Sequence, residues 1–283
     1  MRYSYLEPEN IKEAIAMLSA HRGEAKIIAG GTDLIPQMKS KVLSPGYVLD
    51  ISCLPLLKGI SFQETTGLRI GSMTTIREIE RSEIIHERYV ALAQAAGRLG
   101  SLAIRNVATI GGNLCNALPS ADMVPPLIGF GASLNIIGPA GTRRILLENF
   151  FTEKGRSVCE AEEIVTDIIV PVAPSDNRAI YLKHSRTAID LAVVGVSVVL
   201  TLSGPDICQE ARVVLGAVAP IPLRARSSEE ALRGRKLNAA VINEAAELAV
   251  EEARPITDVR ATAEYRREIV GVLVRRALSQ LLG

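Results

Sequence analysis

The stretch Thr109-Ile110-Gly111-Gly112-Asn113 decides the fold assignment of this chain. Its two adjacent glycines stand between a hydroxyl and an amide side chain, and the apolar-alternating residues 103–107 lead into it. Glycine permits positive φ and lets a ligand approach the main chain, and successive N–H groups in such a turn form a concave nest for an anion. The stretch therefore predicts a tight turn whose uncovered N–H groups can hold a phosphate.

A second stretch of the same kind occurs earlier, Ala29-Gly30-Gly31-Thr32-Asp33-Leu34, directly after the apolar residues 25–28. A short helix is expected to begin near Thr32, with the Thr32 hydroxyl as its cap, so that a phosphate would also face the positive end of the helix dipole. Two such loops suit a pyrophosphate better than one. Either Gly-Gly pair alone is also compatible with an ordinary turn after a strand, and at the level of the residues this alternative stays open.

Composition and charge limit the classes of protein to which this chain can belong. The chain has 283 residues, of which 48% are hydrophobic, so two compact units with their own cores are expected. The net charge of +1 argues against a nucleic-acid-binding surface. The four cysteines are far apart in the sequence and form no CxxC pair, so no zinc or cluster-binding loop is indicated. We expect no signal peptide and no membrane span, with the reducing cytoplasm as the location.

Hydrophobic periodicity predicts an α+β chain in two domains. Residues 1–174 read as one domain with lobes at about 1–56 and 57–174, and the segment from Pro171 through the polar residues 173–177 marks the boundary. Residues 83–98 predict one long helix. Residues 175–283 predict a three-stranded antiparallel sheet, from strands at 179–184, 191–202 and 211–218, followed by three helices.

Together with Pro119-Ser120-Ala121-Asp122, the two glycine stretches resemble the FAD-pyrophosphate loops and trailing aspartate of the FAD-binding medium subunit of molybdenum hydroxylases. This family includes carbon monoxide and xanthine dehydrogenases. The resemblance runs from the first residues to the last helix. It implies a two-lobed FAD-binding domain of the PCMH type, followed by a C-terminal α/β domain of a small antiparallel sheet and a helical bundle.

The resemblance also implies roles for individual residues. The main chains of the two glycine stretches would hold the two sides of the FAD pyrophosphate, and Asp122 would lie near the ribose and adenine end. As a residue by itself, Asp122 also fits a favourable charge at a helix N-terminus, and Leu99 fits a helix core as well as an isoalloxazine contact. Val165 and Lys183 would contact the flavin, and the loop 184–191 would approach its ring with Asp190 and Leu191 nearest. The predicted cofactor-binding residues are Ala29, Gly30, Gly31, Thr32, Asp33, Leu34, Leu99, Thr109, Ile110, Gly111, Gly112, Asn113, Asp122, Val165, Lys183, Asp190 and Leu191.

No residue is predicted to be catalytic or to bind a metal. The three histidines are isolated and no nucleophile has a base at a recognisable spacing, so a bound cofactor must supply the chemistry. The resemblance implies that FAD in this chain passes electrons from iron–sulfur clusters of a small partner subunit to NAD, a quinone or another acceptor. A large partner subunit with molybdopterin would oxidise the substrate.

Two other functions remain open on the sequence alone. One is a self-contained flavin-dependent oxidase or reductase on the same fold, and the other is a non-catalytic nucleotide-binding module. The segment Thr187-Ala188-Ile189 lacks the charges of the animal xanthine dehydrogenases, so the electron acceptor also stays open.

Overall fold

The computed structural model describes residues 2–204 and 206–282. The first lobe is a small parallel sheet with strand order β1-β3-β2 and two helices. Along the chain it runs β1 (Ser4–Leu6), α1 (Ile11–Ala20), β2 (Ala25–Ile28), α2 (Leu34–Lys39) and β3 (Tyr47–Asp50). Its core is formed by residues such as Ala14, Leu18 and Leu49, all nearly free of solvent contact.

The two helices of this lobe begin in different ways. The Asn10 side chain accepts a hydrogen bond from the Glu13 N–H at 3.0 Å, which caps α1 and stabilises the helix by about 1 kcal/mol. The predicted cap at Thr32 is wrong. Gly31 adopts a left-handed φ of +69°, and α2 begins only after Asp33, whose side chain makes no capping bond.

The second lobe is a five-stranded antiparallel sheet, with strand order β4-β5-β10-β6-β7, covered by short helices. It runs β4 (Ile60–Gln63), β5 (Gly67–Gly71), α3 (Ile76–Arg81), α4 (Glu83–Arg88), α5 (Val90–Arg98), α6 (Leu102–Arg105), α7 (Ile110–Cys115), α8 (Val124–Gly129), β6 (Ser133–Gly138), β7 (Gly141–Leu146), β8 (Phe151–Glu153), β9 (Arg156–Ser157) and β10 (Ile164–Val170). Strands β8 and β9 form a separate small hairpin.

One helical prediction in this lobe needs correction, and the alternating residues before the second glycine stretch are largely helical. The single helix predicted at 83–98 is two helices, α4 and α5, which separate at the fully buried Tyr89. The Tyr89 hydroxyl donates to the Pro171 carbonyl at 2.9 Å, and this fixes the break to the end of β10. The alternating residues 103–107 are not extended, because they belong to α6 and the turn after it.

The C-terminal part is an antiparallel sheet with strand order β11-β12-β13-β14 and three helices, of which the first and the last pack on the sheet and the middle one packs on both of them. It runs β11 (Asn177–His184), β12 (Val194–Ser203), β13 (Ile207–Gly216), β14 (Leu223–Arg224), α9 (Arg226–Leu232), α10 (Ala239–Glu252) and α11 (Ala263–Leu282). The predicted three-stranded sheet thus has a fourth strand, which sequence periodicity missed because it is only two residues long. The other face of the sheet packs against α5 and α8 of the second lobe.

The α+β architecture agrees with the prediction, whereas the domain boundary at residue 174 stays a prediction. Among the described residues, no helix combines the length and the apolar character that crossing a membrane requires.

Candidate functional site

The first glycine loop, residues 29–34, offers a run of free main-chain donors. The N–H groups of residues 30–34 have no hydrogen-bond acceptor within the described part of the chain. Gly31 supplies the left-handed φ of +69° that turns these groups away from the strand. Five consecutive unpaired donors beside a half-buried turn form an arrangement that suits the oxygens of a phosphate group.

The second glycine loop differs from its prediction. Its four N–H groups, those of residues 110–113, all donate within the protein at 2.8–3.1 Å, to the carbonyl oxygens of Ser72, Thr74 and Thr109 and to the Thr109 hydroxyl. The prediction of an open nest here is wrong, because Thr109 caps the helix α7 and the first turn of that helix packs against residues 72–75.

What the second loop does offer is polar side-chain atoms. Ser72 Oγ and Asn113 Oδ1 are buried and have no hydrogen-bond partner among the described residues. An unpaired buried oxygen is costly, so both atoms suit a ligand that brings polar groups to this place. The assignment of Thr109, Ile110, Gly111, Gly112 and Asn113 to the cofactor stays a prediction.

The two loops are neighbours in space. The main chain of Gly30 packs on that of Val107 and Ala108, and a Cβ atom on Gly111 would lie 2.7 Å from the Ser72 oxygen. Both contacts require a residue without a side chain. Asp33 also links the two loops: burial raises the pKa of its carboxyl, and a hydrogen bond with the side chain of Asn116, just after α7, lowers it. The structure therefore brings the two predicted pyrophosphate loops together.

Two further predicted site residues form a buried ion pair. Lys183 Nζ lies 2.8 Å from Asp122 Oδ2, and the Tyr181 hydroxyl donates to Asp122 Oδ1 at 2.7 Å. Burial raises the pKa of the Asp122 carboxyl, whereas the Lys183 charge and the two hydrogen bonds lower it. Burial and the nearby carboxylate raise the pKa of the Tyr181 phenol well above its usual range, so Tyr181 stays a neutral donor.

Asp122 therefore already has a partner for each carboxylate oxygen. The structure joins it to Lys183, a residue predicted for the flavin end, and its predicted place at the ribose and adenine end stays a prediction. Lys183 Nζ also donates to the Arg98 carbonyl at 3.0 Å, and the side chain is only 2% exposed. An ammonium group has three donors, so one remains for a ligand.

Leu99 and Val165 are both buried apolar residues. Leu99 ends α5 and is 8% exposed, and Val165 lies on β10 with 5% exposure. The neighbouring Thr166 carbonyl accepts the Ser72 N–H at 2.9 Å, which places Val165 close to the second glycine loop. Because both side chains belong to the core of the second lobe, their flavin contacts stay predictions.

Asp190 and Leu191 lie on the connection between β11 and β12. Asp190 pairs with Arg186 at 3.1 Å, while Leu191 and Ile189 are 45% and 61% exposed. Within the described residues, no hydrogen bond joins residues 185–191 to either glycine loop. The loop therefore presents aliphatic side chains to solvent, and its approach to a flavin stays a prediction.

Sequence reasoning missed three residues of this site, Ser72, Tyr181 and Arg105. Tyr181 could have been found, because residues two apart on a strand face the same side and Lys183 was already a candidate. Arg105 reaches back to the carbonyl oxygens of Leu99 and Gly100, a contact with no local sequence signal. In the described ranges, no group of three or more His, Cys, Asp or Glu side chains is arranged to hold a metal ion.

Comparison with known proteins agrees with this geometry. Residues 1–173 match the model of the FAD binding domain in molybdopterin dehydrogenase, and residues 179–281 match that of the CO dehydrogenase flavoprotein C-terminal domain. The carbon monoxide dehydrogenase medium chain of Hydrogenophaga pseudoflava is 32% identical, over 98% of this chain and 96% of that one. The xanthine dehydrogenase FAD-binding subunit of Escherichia coli O157:H7 is 30% identical, over 98% and 95%.

A solved structure shares the whole fold. The structure of the carbon monoxide dehydrogenase from Hydrogenophaga pseudoflava that lacks the Mo-pyranopterin moiety of its cofactor aligns with a TM-score of 0.96 and 32% identity. The alignment covers 99% of this chain and 97% of that one. The predicted family and fold class are thereby confirmed. This chain belongs to the family of FAD-binding medium subunits of molybdenum hydroxylases.

Proposed function

We propose that this chain is the electron-transfer subunit of a molybdenum-hydroxylase complex. Its FAD would receive electrons from iron–sulfur clusters of a small partner subunit and pass them to an external acceptor such as NAD or a quinone. A large partner subunit with molybdopterin would oxidise the substrate.

The observation that carries the proposal is the run of five unpaired N–H donors at residues 30–34, in contact with the main chain that leads into Thr109. Main-chain donors do not titrate, and they are fixed by the loop rather than by rotatable side chains. They are therefore suited to hold a diphosphate of constant charge in one position.

The remaining predicted site residues favour a flavin ring next to Leu99, Val165 and Lys183. Leu99 and Val165 offer an apolar wall that excludes water, and Lys183 offers one free ammonium donor beside it. Asp122 supplies a counter-charge for that buried ammonium. Bound FAD would supply a redox centre between the one-electron clusters of a partner and the final acceptor.

We expect a partner subunit, and not this chain, to determine which substrate the complex oxidises. The relatives are named for carbon monoxide and for xanthine, although their identities to this chain are 32% and 30%. We also propose a cytoplasmic location, which the four free cysteines support because a reducing compartment keeps thiols free.

The test is to purify the chain with the proteins that remain attached to it, and to measure flavin, molybdenum and iron. We expect FAD in a one-to-one ratio to this chain. After anaerobic reduction by the substrate of the complex, flavin absorbance should bleach, and removal of FAD should abolish acceptor reduction while the iron–sulfur clusters are still reduced. Acceptor reduction at the full rate without FAD would contradict the proposal.

The two alternatives give different results in the same preparation. A self-contained oxidase predicts that the isolated flavin-loaded chain turns over an organic substrate without partners. A nucleotide-binding module predicts that the chain binds an adenine nucleotide but carries no flavin as purified.

A further inference from the structure

The turn formed by residues 98–100 connects α5 with α6 and carries Leu99. Gly100 in this turn has a left-handed φ of +50°. The carbonyl groups here belong to the end of α5, where the last oxygens of a helix lack partners inside the helix and favour a nearby cation.

Arg105 supplies such a cation from α6. Its Nη1 donates to the Leu99 carbonyl at 3.2 Å and to the Gly100 carbonyl at 2.9 Å, and its Nε donates to Glu80 Oε2 at 2.9 Å. The Arg105 side chain is 14% exposed and that of Glu80 is 19% exposed. The planar guanidinium is therefore fixed at both ends in a largely buried place.

Glu80 stays ionised in this environment. Burial raises the pKa of its carboxyl, but the hydrogen bonds and charges of Arg77 and Arg105 outweigh burial and hold it below its usual value. Arg77 donates to the same Oε2 atom at 2.8 Å but makes no hydrogen bond to the turn. Of the two arginines that contact Glu80, Arg105 is therefore the one that also holds residues 98–100 in place.

The turn is held from its other side by Lys183. Lys183 donates to the Arg98 carbonyl at 3.0 Å and to Asp122. Three successive carbonyl groups, those of residues 98–100, each accept a hydrogen bond from one of two buried cations. The positions of Leu99 and of the Lys183 ammonium therefore depend on each other and on Arg105.

We propose that Arg105 is a positioning residue for the flavin end of the cofactor site, which it fixes through the turn 98–100 and so through Leu99 and Lys183. The inference rests on the proposed function, because it presupposes that FAD binds with its flavin ring near Leu99 and Lys183. The donors of residues 30–34 do not contact Arg105, so the phosphate end is expected to keep its affinity when Arg105 is changed.

The experiment compares FAD with ADP, which shares the phosphate end but lacks the flavin. For Arg105→Gln we expect FAD affinity to fall about tenfold while ADP affinity stays within about twofold of wild type. Arg105→Lys should recover part of the loss, because it restores a cation beside the turn. Arg77→Gln removes the other partner of Glu80 and serves as the matched control, with both affinities close to wild type.

A second readout reports on the ring itself. At saturating FAD, the visible circular dichroism of the bound flavin should change in Arg105→Gln and not in Arg77→Gln. Should Arg105→Gln fail to fold, Glu80→Gln replaces it, with the same direction and a smaller effect. Equal losses of FAD and ADP affinity, or a flavin spectrum and affinity equal to those of Arg77→Gln, would overturn the inference. Wild-type protein that binds no FAD would instead overturn the proposed function.

Discussion

A Cβ atom on Gly30 would lie 2.0 Å from the carbonyl oxygen of Val107, well inside van der Waals contact. The two glycine loops, which come from different lobes, therefore touch through their main chains at this point. The contact aligns the free donors of residues 30–34 with the chain that enters Thr109.

Gly30→Ala is expected to separate the two loops. The overlap involves main-chain atoms that cannot rotate away, so the loop must move, at a cost of about 1–3 kcal/mol in stability. We expect FAD affinity to fall at least about tenfold. Gly23→Ala is the control: Gly23 also has a positive φ, +79°, but no atom lies within 4 Å of its Cβ position. Flavin titration should show wild-type affinity for Gly23→Ala, and an equal loss in both variants would refute the role of the contact.

Asp122→Asn is expected to destabilise the protein by about 3–5 kcal/mol, because it leaves the Lys183 ammonium buried without a counter-ion. Adding Lys183→Met should recover a large part of this loss, since the pair is then removed as a whole. Urea unfolding of the two single variants and the double variant measures the coupling. Additive losses would show that the ion pair carries no interaction energy of its own.

Arg224 pairs with two glutamates that differ in burial. Replacing each of them by Gln should therefore destabilise the protein to different extents. Glu229 is 2% exposed, and its carboxylate forms a two-pronged pair with Arg224 and accepts the Val213 N–H. Glu148, which reaches Arg224 from the second lobe, is 31% exposed. We expect Glu229→Gln to cost about 3 kcal/mol and Glu148→Gln at most about 1 kcal/mol.

Thermal unfolding at low and high salt tests this comparison. Salt should weaken the contribution of the more exposed Glu148 and leave that of Glu229 nearly unchanged, because buried pairs are screened less. A larger loss for Glu148→Gln would mean that the bridge between the second lobe and the C-terminal part dominates.

Asp258 should contribute to stability only above acidic pH. Burial raises the pKa of its carboxyl, but hydrogen bonds from the Arg260 N–H and from Arg266 and the Arg266 charge outweigh it and lower the pKa from 3.8 to about 2. The group is deprotonated more readily in the folded state, so its contribution is present above about pH 4 and disappears as the pH falls towards 2.

After discounting for partial exposure, this contribution is about 1–2 kcal/mol. Asp258→Asn should therefore destabilise the protein in urea at pH 7 and much less at pH 2.5. Arg266 links Asp258 to the Val193 and Ala217 carbonyls, so we expect the strand ends at Val193 and Ala217 to be destabilised most. A difference that persists unchanged at pH 2.5 would mean that the charge is not its source.

The sequence predicts well those features that depend on neighbouring residues. Asn10 and Thr75 each cap a helix through an N–H group only three residues further on, a spacing that is visible in the sequence. The first glycine loop presents its donors because Gly31 sets the turn locally. The family resemblance was carried by such short stretches, and the matching models confirm it.

Contacts between distant residues were not predictable in this way. The N–H groups after Thr109 meet acceptors at residues 72 and 74, so a stretch that looks like an open nest is closed by another part of the chain. Lys183 contacts Asp122, which lies 61 residues earlier in the sequence. Both outcomes depend on how the lobes pack, which hydrophobic periodicity does not encode.

The division between main-chain and side-chain contacts has a consequence for how such a subunit can change during evolution. Residues 32–34 keep their main-chain N–H donors after any replacement except proline. The sequence of the proposed diphosphate-binding loop can therefore change without loss of these donors. In the proposed function, the flavin end relies on individual side chains and on an exposed loop, where a single substitution alters polarity or charge. New electron acceptors would then be accessible through few substitutions, while the same dinucleotide is retained.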